Sequence, residues 1–159
     1  MLRGREMKSM HELKVMPWLL RTSRNEPEAL HSARFDKREM PVSILRPVPV
    51  RGRLDRVTIT NANDVYVSDT KSRKKHVVTE KDVLQVSLGR MLCLYSGNRV
   101  FHGSGRKMKF PERAFIHTVS RTDGTERWHV VKTIPPSQLI PIYLDYLARS
   151  DDTVKHAAG

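Results

Sequence analysis

The chain has 159 residues, enough for one domain, with 29 Lys and Arg against 17 Asp and Glu, a formal net charge of +12 and a pI near 10.3. Its single cysteine, Cys93, excludes an intrachain disulfide and a Cys-rich zinc site. No apolar run approaches the ~18 residues of a membrane-spanning helix, and an apolar content of 38% suits one modest core rather than two.

The charge is uneven. Residues 1–60 carry 13 basic and 7 acidic side chains, residues 61–110 carry 10 and 4, and residues 111–159 carry 6 of each. The excess therefore lies on the N-terminal arm and the first half of the body. Such an excess attracts polyanions, nucleic acid above all.

Residues 1–24 read MLRGREMKSMHELKVMPWLLRTSR. Spaced basic residues among Leu and Met resemble a mitochondrial import signal, from which Glu6 and Glu12 depart. The other reading is an amphipathic helix carrying Met7, Met10 and Leu13 and ended by Pro17. Glu26-Pro27-Glu28 opens a predicted short helix reaching about Arg38. Pro41, Pro47 and Pro49 then predict an extended segment. Residues 1–50 are thus read as a basic, Pro-containing arm.

From Arg51 the apolar period becomes two. Leu54, Val57 and Ile59 mark a strand, Asn61 to Asp64 a turn, and Val65 to Asp69 the returning strand. A basic loop, Lys71-Ser72-Arg73-Lys74-Lys75, follows. Thr79-x-x-Asp82 matches a helix cap, but β-branched residues and Gly89 favour a strand over residues 83–88. Residues 90–95 and 99–102 read as a hairpin about Ser96-Gly97-Asn98, followed by a second basic group, Arg106, Lys107 and Lys109. Thr122-Asp123-Gly124-Thr125 gives the strongest hairpin signal, between strands 113–120 and 126–133. A C-terminal helix follows from Ser137 through Arg149, with Ile142, Tyr143, Tyr146 and Leu147 turned toward Phe115, Trp128, Val130 and Val131 of that hairpin. Residues 151–159 are a polar tail.

The expected fold is α+β and mainly β: a small antiparallel barrel or sandwich over about residues 51–135, closed by the C-terminal helix. In its order of elements, strands and then a helix, it resembles the pleckstrin-homology-type barrel. No motif carries that resemblance.

No catalytic signature stands out. The seven His are scattered without H-E-x-x-H or H-x-H spacing, and G-x-S-x-G and P-loop patterns are absent. No metal, cofactor or small-molecule substrate is expected, and His117 and His129 are read as a pair facing each other across the hairpin. Charge then carries the functional reading: a non-catalytic structural subunit of a large RNA–protein assembly, most concretely a mitochondrial ribosomal protein. It would contact rRNA through Arg3, Arg5 and Lys8 of the arm and through Lys71, Arg73, Lys74, Lys75, Arg106, Lys107 and Lys109 of the loops, with neighbouring protein subunits as further partners. The alternatives are a peripheral scaffold subunit of a mitochondrial membrane complex and a barrel binding anionic lipid headgroups. The expected compartment is the mitochondrion, otherwise the cytoplasm.

Overall fold

The computed structural model describes residues 18–31, 33–102 and 105–158, the last of these, from 150 on, as helical backbone only. The arm residues before Trp18 lie outside the described residues. The elements are β1 (Leu19–Ser23), a 3-10 turn (Glu28–Leu30), β2 (Ala33–Ile44), β3 (Val50–Thr60), β4 (Val65–Arg73), α1 (Glu80–Tyr95), α2 (Arg99–His102), β5 (Arg113–Ser120), β6 (Glu126–Lys132) and α3 (Pro136–Ala158). The protein is mainly β. Its six strands form one sheet in the order β1-β6-β5-β4-β3-β2. Every pairing is antiparallel except β4 with β5.

The sheet is open, with β1 and β2 as its edges, so the expected barrel or sandwich is not formed. The reason lies between β4 and β5. Parallel neighbours cannot be joined by a tight turn and require a crossover, usually a helix. Residues 80–95 supply it. Their pattern fits both periods, and a strand was expected, but the cap decides. The Thr79 hydroxyl accepts from the Asp82 amide at 3.2 Å, and the Asp82 carboxylate accepts from the Thr79 amide at 2.9 Å. This reciprocal box satisfies two orphan donors of the first turn. Helix α1 runs on through residues 90–95, and α2 replaces the second arm of the expected 90–102 hairpin. Gly89 allows α1 to lie close on the sheet: a Cβ there would sit 2.9 Å from Val67 Cγ1 and 3.2 Å from Leu54 Cδ2.

The two hairpins read from period two are present. Asn63 takes φ 66° in the β3–β4 turn, and Gly124 takes φ 73° between β5 and β6. The helix expected over 26–38 is only the turn at Glu28–Leu30; residues 33–38 belong to β2. Alternation of Phe35 with exposed Arg34 and Asp36 is the strand signal there.

The main core lies between α1 and one face of the sheet. It holds Val57, Ile59, Val67, Val83, Val86, Met91, Leu92, Ile116 and Val131. A smaller cluster, Leu30, Phe115, Trp128 and Val130, covers the other face. On that second face Arg56 bridges Asp36 and Glu26, with Nε to Asp36 at 2.9 Å and Nη1 to Glu26 at 2.6 Å. The Arg56 hydrogen bond holds the Asp36 carboxyl below its usual range.

Parity changes on both strands of the β2–β3 pair. The core takes Phe35, Val57 and Ile59 below residues 39 and 55, but Met40, Val42, Ile44, Val50 and Leu54 beyond them. The switch falls at the Glu39–Asp55 step, where the Cα register passes from Arg38↔Arg56 to Met40↔Leu54 and Glu39 takes φ 53°. A non-glycine residue there is uncommon and marks a local distortion.

Helix α3 does not pack on Phe115, Trp128 or Val130, which lie on the far face. Its buried anchor is Leu139 in the main core, with Ile140 and Tyr143 beside it; Tyr146 and Leu147 are exposed. The helix continues through Ala158, across the expected polar tail. Leu139→Ala should therefore cost about 2–5 kcal/mol, and Leu147→Ala should stay within about 0.5 kcal/mol. Urea midpoints of the two variants check this ordering.

Candidate functional site

Strand β4 places the cations expected for phosphate contact, and it does not gather them. Lys71 and Arg73 belong to the strand rather than to a loop. Lys71 Nζ lies 3.1 Å from Asp69 Oδ2. Arg73 forms a two-pronged bridge to Asp82 and also donates to the Val77 carbonyl at 2.8 Å. Burial raises the Asp82 carboxyl, but the Arg73 bridge and the Thr79 amide outweigh it, and Asp82 is held low. Lys74 and Lys75 are exposed just past the strand. Arg106, Lys107 and Lys109 are also exposed, but at the opposite end. There Lys109 bridges to Asp64 and its amide donates to the Asn63 carbonyl in the β3–β4 turn. The two basic groups are thus separated by the length of β4, about 26–30 Å at ~3.3 Å per residue. Arg3, Arg5 and Lys8 lie outside the described residues.

What β3 and β4 do bring together is a pair of carboxyl groups. Arg56 pairs with Ser68, so the next step of the antiparallel register sets Asp55 beside Asp69. The Thr70 amide donates to Asp55 Oδ2 at 3.1 Å. Asp69 is only 6% exposed, on the face covered by α1. Its Oδ2 has the Lys71 ammonium near but not aligned as a hydrogen bond, and no other partner. Burial first, and then the hydrogen bond to Asp55, raise the Asp69 carboxyl to about 7 against the lowering pull of Lys71. That same hydrogen bond, with the Thr70 amide and the Lys71 and Arg38 charges, holds Asp55 low. The two shifts run apart: Asp69 is the carboxyl pushed toward its protonated form, and Asp55 the one held toward its charged form. The Lys71 ammonium, 3.1 Å from Asp69 Oδ2, offsets part of the repulsion between the two carboxylates.

A histidine–threonine network flanks the pair on the same face. Thr118 Oγ1 lies 2.7 Å from His76 Nδ1 and 2.9 Å from His129 Nε2, and His129 Nδ1 lies 3.0 Å from Thr22 Oγ1. Thr118 stands opposite Lys71 in the parallel register. Burial pushes the His129 imidazole down to about 4, which keeps it neutral. His117 does not face His129. It stacks on Trp128, with ring centroids 4.2 Å apart, on the other side of the sheet.

Among the described residues no group of three or more His, Cys, Asp and Glu is arranged to hold a metal ion. The Asp pair offers two carboxylates. Mg²⁺ typically takes one or two protein carboxylates and fills its octahedron with water and substrate phosphate oxygens. The site's unaligned buried oxygen and ionised partner fit that demand.

Comparison with known proteins finds no family that matches the chain and no curated protein that matches it.

Sequence reasoning passed over Asp55 and Asp69 because metal sites were sought through His and Cys spacing. A signal was present. In Val65-Tyr66-Val67-Ser68-Asp69 the carboxylate falls on the inward parity of a strand, where an unpaired charge is costly. Lys71 two residues on repeats that parity.

The raised Asp69 carboxyl fixes the sign of a stability effect. Between about pH 4 and pH 7 the folded chain holds a proton that the unfolded chain has lost, so stability falls as pH rises through this window. Asp69→Asn removes that burden. At pH 8 the variant should exceed the parent by about 1–3 kcal/mol, with the gap closing toward pH 4. Urea midpoints at pH 4.5, 6 and 8 check it; a variant less stable at pH 8 contradicts it.

Proposed function

We propose that this protein is a divalent-cation-dependent nuclease, hydrolysing phosphodiester bonds of nucleic acid at Asp55, Asp69 and Lys71. The observation that carries the reading is buried Asp69 beside half-buried Asp55, with the Lys71 ammonium 3.1 Å from Asp69. Two acidic ligands and an adjacent lysine suit a phosphate ester better than a neutral substrate. The net charge of +12 favours a polyanion as the larger molecule around that ester.

A bound Mg²⁺-class cation would polarise a phosphoryl oxygen and acidify a water held beside it. Asp55 and Asp69 would hold it, the Asp69 proton leaving as it binds. The Lys71 ammonium stands where charge develops on the phosphoryl oxygens. The water oxygen would form a bond to phosphorus as the bond to a sugar oxygen breaks, the water losing a proton to solvent and the leaving sugar oxygen taking one from solvent. Lys74 and Lys75, at the same end of β4, would track the flanking backbone phosphates. Thr70 fixes Asp55 through its amide, and the Arg73–Asp82 bridge ties the end of β4 to α1.

A carboxyl dyad can also run acid–base chemistry without a metal, but a lysine beside the pair and a strongly basic chain are not what such chemistry needs. The reading from charge alone, a non-catalytic RNA-bound subunit, is less favoured because Arg73 is committed to Asp82 and the exposed lysines and arginines are divided between the two ends of β4.

The test is cleavage of end-labelled single-stranded DNA, duplex DNA and single-stranded RNA by the purified chain with Mg²⁺ or Mn²⁺. Cleavage of at least one substrate is expected, abolished by EDTA. Asp55→Asn, Asp69→Asn and Lys71→Ala should each lower the rate by at least about 100-fold. Binding of all three without cleavage, unchanged by the Asp variants, would return the protein to the non-catalytic RNA-binding class.

A further inference from the structure

The sheet face turned away from α1 carries an open cavity of about 520 Å³. Tyr66 of β4, Arg113 of β5 and Lys132 of β6 line it, together with Leu20, Pro111 and Glu112. Its size falls in the range of small-molecule sites, about 300–1,000 Å³.

The local structure gives this cavity a mixed lining. Arg113 and Lys132 stand directly opposite each other across β5 and β6. The Cβ atoms of such a pair lie about 4.5–5.5 Å apart, and like charges there repel. Among the described residues neither side chain has an ion pair or a hydrogen bond, although Glu112 lines the same cavity. An anion between the two cations would relieve the repulsion and accept from both. Leu20 arrives by a different device. The register of β1 on β6 shifts between Leu19 and Arg21, so Leu20 is the extra residue, 51% exposed and turned into the cavity. Bulges re-aim side chains in this way. Tyr66 is half-buried and leans on Phe115, with ring centroids 5.2 Å apart and planes at 47°. Burial first, and then the Asp64 charge, raise its phenol, which stays protonated and able to donate.

A bare inorganic anion would engage the cations and leave the ring, the leucine and the Glu112 carboxylate unused. A nucleotide uses them all. Its phosphate meets the cations, its base packs on an aromatic face, and a carboxylate accepts from an exocyclic amine of the base. We propose that this cavity binds one nucleotide unit, with the phosphate between Arg113 and Lys132 and the base against Tyr66 and Leu20. A free mononucleotide and one nucleotide of a single strand share this chemistry. The site has no residue in common with Asp55, Asp69 and Lys71, and its occupancy does not depend on cleavage.

The test is a nuclear magnetic resonance titration of the full chain in EDTA, so that cation-dependent cleavage plays no part. The probes are adenosine monophosphate, a hexameric oligo-deoxyadenosine and inorganic phosphate. Amide shifts at Tyr66, Arg113 and Lys132 are expected with a nucleotide probe, at an affinity at least about fivefold above that for phosphate. Arg113→Gln, Lys132→Gln and Tyr66→Leu should each weaken binding at least about fivefold, and Tyr66→Phe, which keeps the ring, should retain it. Tighter binding of the monophosphate assigns the site to a free nucleotide, and tighter binding of the hexamer assigns it to a strand. Phosphate bound as tightly as either nucleotide probe, nucleotide binding that Tyr66→Leu leaves unchanged, or no shift at these three residues would overturn the proposal.

Discussion

Strand β4 sits inside the sheet with an antiparallel neighbour on one side and a parallel one on the other. That single parallel pairing dictates the rest. It demands a crossover, the crossover is α1, and α1 covers one face of β4 along Val67 and Asp69. Asp69 thereby loses water, and its carboxyl rises to about 7.

The consequence is a conflict between stability and charge. A buried carboxyl next to an ionised one is a poor way to fill a core, and an apolar residue at position 69 would pack with less electrostatic cost. Structural ion pairs in this chain look different: Arg56 satisfies Asp36 with two donors, and Arg73 satisfies Asp82 likewise. Asp69 alone keeps an oxygen without an aligned donor among these three. Perturbed carboxyls without full local compensation concentrate at functional sites.

The hairpins were legible because a period of two bounded by Asn or Asp-Gly has few other solutions. Helix α1 was not, because Val83-Leu84-Gln85-Val86-Ser87-Leu88 serves either period. Its cap, Thr79 with Asp82, was the better guide and was outvoted by β-branching. The C-terminal helix was legible, but not its neighbour: Ile142 and Tyr143 meet α1, and the choice between hairpin and helix depends on which face α1 has already covered. The carboxyl pair depends on register, which is a long-range fact. Asp55 and Asp69 are fourteen positions apart in the chain and become neighbours only once Arg56 pairs with Ser68. The basic loops were read from charge counts, which do not show partners, and Lys71 and Arg73 have them.

The central claim is that a cation held by Asp55 and Asp69 replaces the proton on Asp69. Calorimetric titration of Mn²⁺ into the full chain, repeated in buffers of different ionisation enthalpy, counts that proton directly. At pH 6 binding should release about one proton, at pH 8 well under one, and Asp69→Asn should bind weakly with no release. Absence of Mn²⁺ binding at pH 8, or binding that Asp69→Asn leaves intact, would contradict the account.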